Sequence, residues 1–113
     1  MDNLLAAVRE TATALDQKFG KDIMILDISH CTVITDYFIL VTGSNPNQIQ
    51  AMVDAADETL LQHGIQRRAI EGLNDAEWIL MDFGDVMVHI FNEETRMYYN
   101  LERIWRDGAI VEA

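Results

Sequence analysis

A single cysteine, Cys31, means that no disulfide can close within the chain, which fits a reducing compartment. One proline and six glycines in 113 residues leave no Pro- or Gly-rich linker. No internal repeat or low-complexity tract interrupts the sequence either. Residues 1–113 therefore read as one domain, long enough to bury roughly two-thirds of its unfolded surface without a metal or a cross-link. No apolar run reaches the length of a membrane span. The first residues, MDNLLAAVRE, have neither the basic start nor the long apolar run of a signal peptide. A cytoplasmic protein is the expectation.

Basic residues are equally scarce. Eight Lys and Arg stand against nineteen Asp and Glu, a formal charge of −11. Only Arg67 and Arg68 are adjacent. Broad contact with nucleic acid needs Lys and Arg to neutralise phosphates, so little or no direct RNA or DNA binding is expected, and no docking on anionic membranes. An acidic surface speeds encounter with a basic protein. It is equally a common route to solubility.

Metal and nucleophile chemistry find no support in the pattern. His30, His63 and His89 are not at metal-ligand spacing with one another or with Cys31. Cys31 beside His30 has no third group to orient a base, and adjacent residues rarely face each other. The letters DFG at 82–84 lack the lysine and loops that give that motif its role in kinases, and they read as a turn. Gly43-Ser44 between a strand and a helix could offer amides to a phosphate. Nucleotidyltransferases use such a turn together with an Asp-x-Asp or Asp-x-Glu pair on a nearby strand. IMILDI and WILMDF each carry a single acid. Catalytic residues, cofactor and metal are all expected to be absent. A nucleotide-binding or nucleotide-transferring enzyme built on Gly43-Ser44 is the alternative.

Apolar residues make up 50% of the chain, and their spacing is informative. Leu4, Val8, Leu15 and Phe19 repeat at helical intervals, predicting a helix over 3–19 ended by Gly20. Strands are expected over 22–28 and 36–42, both apolar on two faces and so central in a sheet. Asn45 as cap, Pro46 at the first helical position and Gln48 after them start a second helix that runs to about His63, with Gly64 ending it. A weaker, more polar strand over 66–71 belongs near an edge. Asn92 can cap a short helix, and 101–105 is read as a last helical turn or coil. The order αββαβββα predicts an α/β (α+β) fold with a mixed sheet of about five strands and flanking helices.

The hairpin over 77–91 carries the most information. With Phe83-Gly84 as the turn, Asp82 faces Asp85, Leu80 faces Met87 and Trp78 faces His89. Strand side chains alternate, so Ile79, Met81, Val86, Val88 and Ile90 share one face and Trp78, Leu80, Met87, His89 and Phe91 the other. The first set is aliphatic and suits a helix-packed core. The second mixes Trp, Met and His, as protein-binding faces do. It could equally pack beneath another part of the same chain. Tyr98, Tyr99 and Trp105 follow closely, and Tyr and Trp are frequent interface anchors.

TDYFILVTGSN at 35–45, IEG at 70–72, EWILMDFGDVMVHIF at 77–91 and ETRMYYNLERIW at 94–105 resemble the ribosomal silencing factor family, also called the Iojap or RsfS family. The likeness covers about 22–107. It implies a nucleotidyltransferase-like fold without the catalytic acids. It also implies a translational repressor that binds the large ribosomal subunit through the basic ribosomal protein L-fourteen, blocks joining of the small subunit when nutrients are scarce, and can assist large-subunit biogenesis. Family members are often homodimers when free. Trp78, His89, Tyr98 and Tyr99 match the family motifs. So do Asp36, Tyr37, Glu71, Asp82, Gly84 and Asp85, as positions of mixed structural and binding role. Together with the parity of the hairpin, the expected partner-binding set is Trp78, Leu80, Met87, His89, Phe91, Tyr98 and Tyr99.

Overall fold

A computed structural model describes residues 3–29, 33, 35–72, 77–98 and 109–111, with the backbone alone for 96–98 and 109–111. The elements are α1 (Asn3–Gln17), β1 (Lys21–Asp27), β2 (Tyr37–Gly43), α2 (Pro46–Gln62), β3 (Ala69–Glu71), β4 (Trp78–Asp82), β5 (Val86–Asn92), α3 (Glu93–Tyr98) and β6 (Ala109–Val111). One mixed sheet has the order β3-β4-β5-β2-β1-β6. Only β2 and β5 run parallel; the other neighbours are antiparallel. The expected mixed sheet is present. Its sixth strand, three residues pairing with β1 at the far edge, was not expected.

Strand position follows from side-chain chemistry. YFILVTG in β2 is buried at every residue, as a strand covered on both faces must be. The edge strand β3 is short and mostly exposed, which limits pairing with other chains. In β1, Lys21 and Asp22 are exposed, and a bulge lies between Lys21 and Met24 where Asp22 takes φ 52°.

The helix face of the sheet holds the larger core. Ala7, Val8, Ala12 and Leu15 of α1 and Ile49, Met52, Val53, Ala56 and Leu60 of α2 pack on Ile25, Ile39, Val41, Ile79, Met81, Val88 and Ile90. Asn45 caps α2 by accepting from the Gln48 backbone N–H at 2.8 Å. Gln48 returns one bond further back than a simple capping box would. Its Oε1 accepts from the Ser44 N–H at 2.6 Å, and its Nε2 donates to the Lys18 and Phe19 carbonyls at 3.0 and 2.8 Å. One side chain therefore joins the start of α2 to the end of α1.

The two long helices end alike but with different residues. At α2, Ile65 N–H bonds the Leu60 carbonyl and Gly64 N–H bonds that of Leu61, with Gly64 at φ 75°. At α1, Gly20 bonds Leu15 and Phe19 bonds Asp16 in the same pattern, with Phe19 in the left-handed position at φ 65°. Gly20 is needed for space instead, since a Cβ there would lie 2.6 Å from Val41 Cγ2. The α1 helix thus stops at Gln17, and the residue that turns the chain is Phe19, not Gly20.

Candidate functional site

The hairpin sets the geometry of the second face. Its turn is Gly84-Asp85, because Phe83 N–H bonds the Val86 carbonyl at 2.9 Å. Gly84 takes φ 87° as the first loop residue, where a type II′ hairpin turn places glycine. Asp82 Oδ1 accepts from the Gly84 N–H at 2.8 Å and fixes the turn from outside. The register is then Asp82 opposite Met87, Leu80 opposite His89 and Trp78 opposite Phe91. This corrects the expected pairing, which placed the turn one residue too early and slipped the register by two. A slip of two preserves side-chain parity, so the two faces are as expected.

Trp78, Leu80, Met87, His89 and Phe91 therefore do lie on one face, away from α1 and α2. They are joined by Met24, Leu26 and Ile28 from the β1 side and by Phe38 and Leu40 of β2. The two-faced apolarity of those strands was the signal for this second cluster. Exposure divides the five hairpin residues. Phe91 is 0% exposed and His89 5%, both on the interior strand β5. Trp78, Leu80 and Met87 are half-buried. Burial puts His89 and Phe91 beneath the rim, while Trp78, Leu80 and Met87 keep some open surface. Tyr98 closes α3 as backbone only, and Tyr99, Trp105 and the turn expected over 101–105 lie outside the described residues, as do His30 and Cys31.

Ring packing builds this face. His89 meets Phe38 edge-on with centroids 4.5 Å apart, and Trp78 lies 5.3 Å from Phe91 at a tilt of 32°. Trp78 Nε1–H donates to His89 Nδ1 at 3.1 Å. Nδ1 is thus an acceptor, and the neutral imidazole carries its proton on Nε2. Burial pushes the His89 imidazole down from 6.5 to about 4, so it is neutral near pH 7. A cavity of about 330 Å³ lies beside the indole, lined by Glu71, Gly72, Trp78 and Leu80. Gly72, at φ 89°, is confined there, since a Cβ would sit 2.2 Å from the Trp78 carbonyl oxygen.

Several of the other motif positions make structural contacts. Tyr37 is buried in the helix-face core, and the Asp85 carbonyl accepts from the Asp36 and Tyr37 N–H groups at 2.9 and 3.1 Å, anchoring the start of β2. Asn92 Oδ1 accepts from the Thr95 N–H at 2.7 Å and caps α3. The Gly43-Ser44 turn is spoken for: the Ser44 amide is held by Gln48, and a Cβ on Gly43 would lie 2.5 Å from Ile49 Cγ1. A larger cavity of about 440 Å³ lies along α2, lined by Asp54, Asp57, Glu58, Leu61, Gln66 and Arg67. Arg67 there is already paired with Asp57. No group of acids, His and Cys among the described residues could hold a metal ion, and none of the described helices is long and apolar enough to cross a membrane.

Comparison with known proteins agrees with these motifs. A family model described as "Ribosomal silencing factor during starvation" matches residues 1–113. The chain is 36% identical over 110 residues to the ribosomal silencing factor RsfS of Bacillus subtilis, covering 97% of this chain and 93% of that one. It is 30% identical over 96 residues to a mouse protein named for mitochondrial assembly of the ribosomal large subunit, covering 80% of this chain and 41% of that one. A crystal structure of a protein from Chromobacterium violaceum superposes with a TM-score of 0.86 at 32% identity, over 94% of this chain and 88% of that one. From motif order, fold and these matches together, the chain belongs to the ribosomal silencing factor family.

Proposed function

We propose that this protein is a non-enzymatic, cytoplasmic translational repressor. It binds the large ribosomal subunit through the basic ribosomal protein L-fourteen and sterically blocks joining of the small subunit under nutrient limitation. The observation that carries the docking site is the partly open rim of Trp78, Leu80 and Met87 over a rigid aromatic bed on the sheet face that α1 and α2 leave free. A half-buried Trp beside a cavity is the kind of anchor on which binding energy concentrates. The charge of −11 favours a basic partner. Occlusion needs no chemistry, only tight seating on a surface that the second subunit must use.

The name of the mouse relative adds a role in large-subunit biogenesis to the proposal. The free protein is proposed to be a homodimer whose interface overlaps the docking face, so that dimerisation opposes binding. A dimer that binds the subunit intact would sink that last element. The nucleotide-enzyme reading draws no support from a turn whose amide and free space are already taken. A melting curve with nucleotide and Mg²⁺ is expected to show no shift. The main test is subunit joining. Purified protein added to separated subunits should lower the joined fraction in a sedimentation profile and travel with the large subunit. Unimpaired joining at saturating protein would refute occlusion.

A further inference from the structure

His89 is an oddity in its surroundings. It is 5% exposed and packed among Phe38, Leu40, Leu80 and Phe91, a site shaped for an apolar side chain. Only one of its ring nitrogens is used. Nδ1 accepts from the Trp78 indole, while Nε2 is buried without a hydrogen-bond partner among the described residues. The two facts are coupled. Because Nδ1 must accept, the single proton of the neutral ring is forced onto Nε2, the nitrogen that has nowhere to donate it. An unpaired buried N–H weakens the fold. Trp78 is half-buried at the rim, so unlike His89 it is not cut off from solvent. The bond therefore does little for hydrogen-bond satisfaction and much for orientation. It pins one edge of the indole while Phe91, 5.3 Å away, supports its face.

We infer that His89 is a positioning residue. It holds the Trp78 indole in its docking orientation through Nδ1, and it is kept for partner binding at the expense of folding stability. This rests on the reading of Trp78 as a docking anchor. It differs from a contact role for His89, which burial denies, and from a core role, for which Phe would serve better. A site that breaks a packing rule without a local gain is the pattern expected where function has overridden stability.

The test uses the full chain with His89→Phe and His89→Leu, which remove the acceptor, and His89→Asn, whose Oδ1 can take the place of Nδ1. The ¹⁵N-indole resonance of Trp78, assigned with Trp78→Phe, reports the bond. In His89→Phe or His89→Leu that resonance should move. The melting temperature should hold or rise, and affinity for the large subunit should fall about three- to tenfold, the loss of one ordering hydrogen bond. His89→Asn should keep most of the affinity. A folded His89→Phe or His89→Leu protein that binds as the wild type does would overturn the inference, as would His89→Asn losing as much affinity as His89→Phe. Trp78→Ala in parallel separates the levels. If it binds normally, the docking reading fails and this inference with it. If it binds poorly while His89→Phe binds normally, this inference fails alone.

Discussion

The two faces of one sheet are built to different rules. On the helix face, Ile79, Met81, Val88 and Ile90 are all buried, all aliphatic or thioether, and closed over by α1 and α2. Every group there is content with burial. On the other face, the alternate residues of the same two strands are Trp78, Leu80, His89 and Phe91, and here burial is incomplete at the edge, and one buried ring nitrogen of His89 has no hydrogen-bond partner among the described residues. The first face follows the optimum for folding. The second departs from it at two linked points, an indole left partly open and an imidazole left half-paired beneath it. Sharing a backbone, the two faces hold each other's geometry: tight packing on one side keeps the other in register.

Substitution at the centre of the helix face should have the largest effect on folding. Ile90→Ala should cost about 2–5 kcal/mol of stability, the usual range for a fully buried large aliphatic residue. Chemical denaturation would measure it. A cost below about 1 kcal/mol would mean the contrast between faces is overstated.

The second expected effect is on pH dependence. His89 titrates near 4 in the folded protein against 6.5 otherwise. Between those values the unfolded chain binds more protons, so stability from this group rises with pH through that window. The penalty is complete below about pH 4 and gone above about pH 6.5, with a full size on the order of 3 kcal/mol. Subtracting the stability profile of His89→Phe from that of the wild type isolates it. A flat difference between pH 4 and 7 would contradict burial of a neutral imidazole.

A smaller effect sharpens the account of the helix face by comparing its two helix ends. Gly64 turns the chain at φ 75° without strain, while Phe19 does the same at φ 65° although it is 81% exposed and gains little from burial. Phe19→Gly should therefore stabilise the protein by about 0.5–1 kcal/mol, the left-handed penalty outweighing the added freedom of the unfolded chain. Destabilisation would show that the Phe19 ring packs usefully.

What could be read in the sequence follows from the same physics. The division of the hairpin into two faces was legible because strand parity is strict, and it survived a register error of two. That error arose because Phe83-Gly84 and Gly84-Asp85 are both plausible turns, and only the backbone of Gly84, positive in φ as the first loop residue, separates them. Both long helices and the Asn45 cap were legible from periodicity and capping chemistry. The left-handed Phe19 was not, because Gly20 beside it is the residue that ordinarily makes that turn. The strand over 109–111 was too short to carry a periodic signal, and β1 selects it by pairing. Least legible was the burial of His89 and Phe91. Alternation tells which face a residue is on, and only the tertiary fold tells what covers that face.

The proposed seat on the large ribosomal subunit is the partly open rim of Trp78, Leu80 and Met87 on the second face. Co-sedimentation of wild type and Trp78→Ala with separated subunits tests it most directly, with a melting curve alongside. The account predicts binding to the large subunit only, weakened by about 2 kcal/mol or more in Trp78→Ala while the variant stays folded. Equal binding by a folded Trp78→Ala protein, or binding to neither subunit by the wild type, would contradict it.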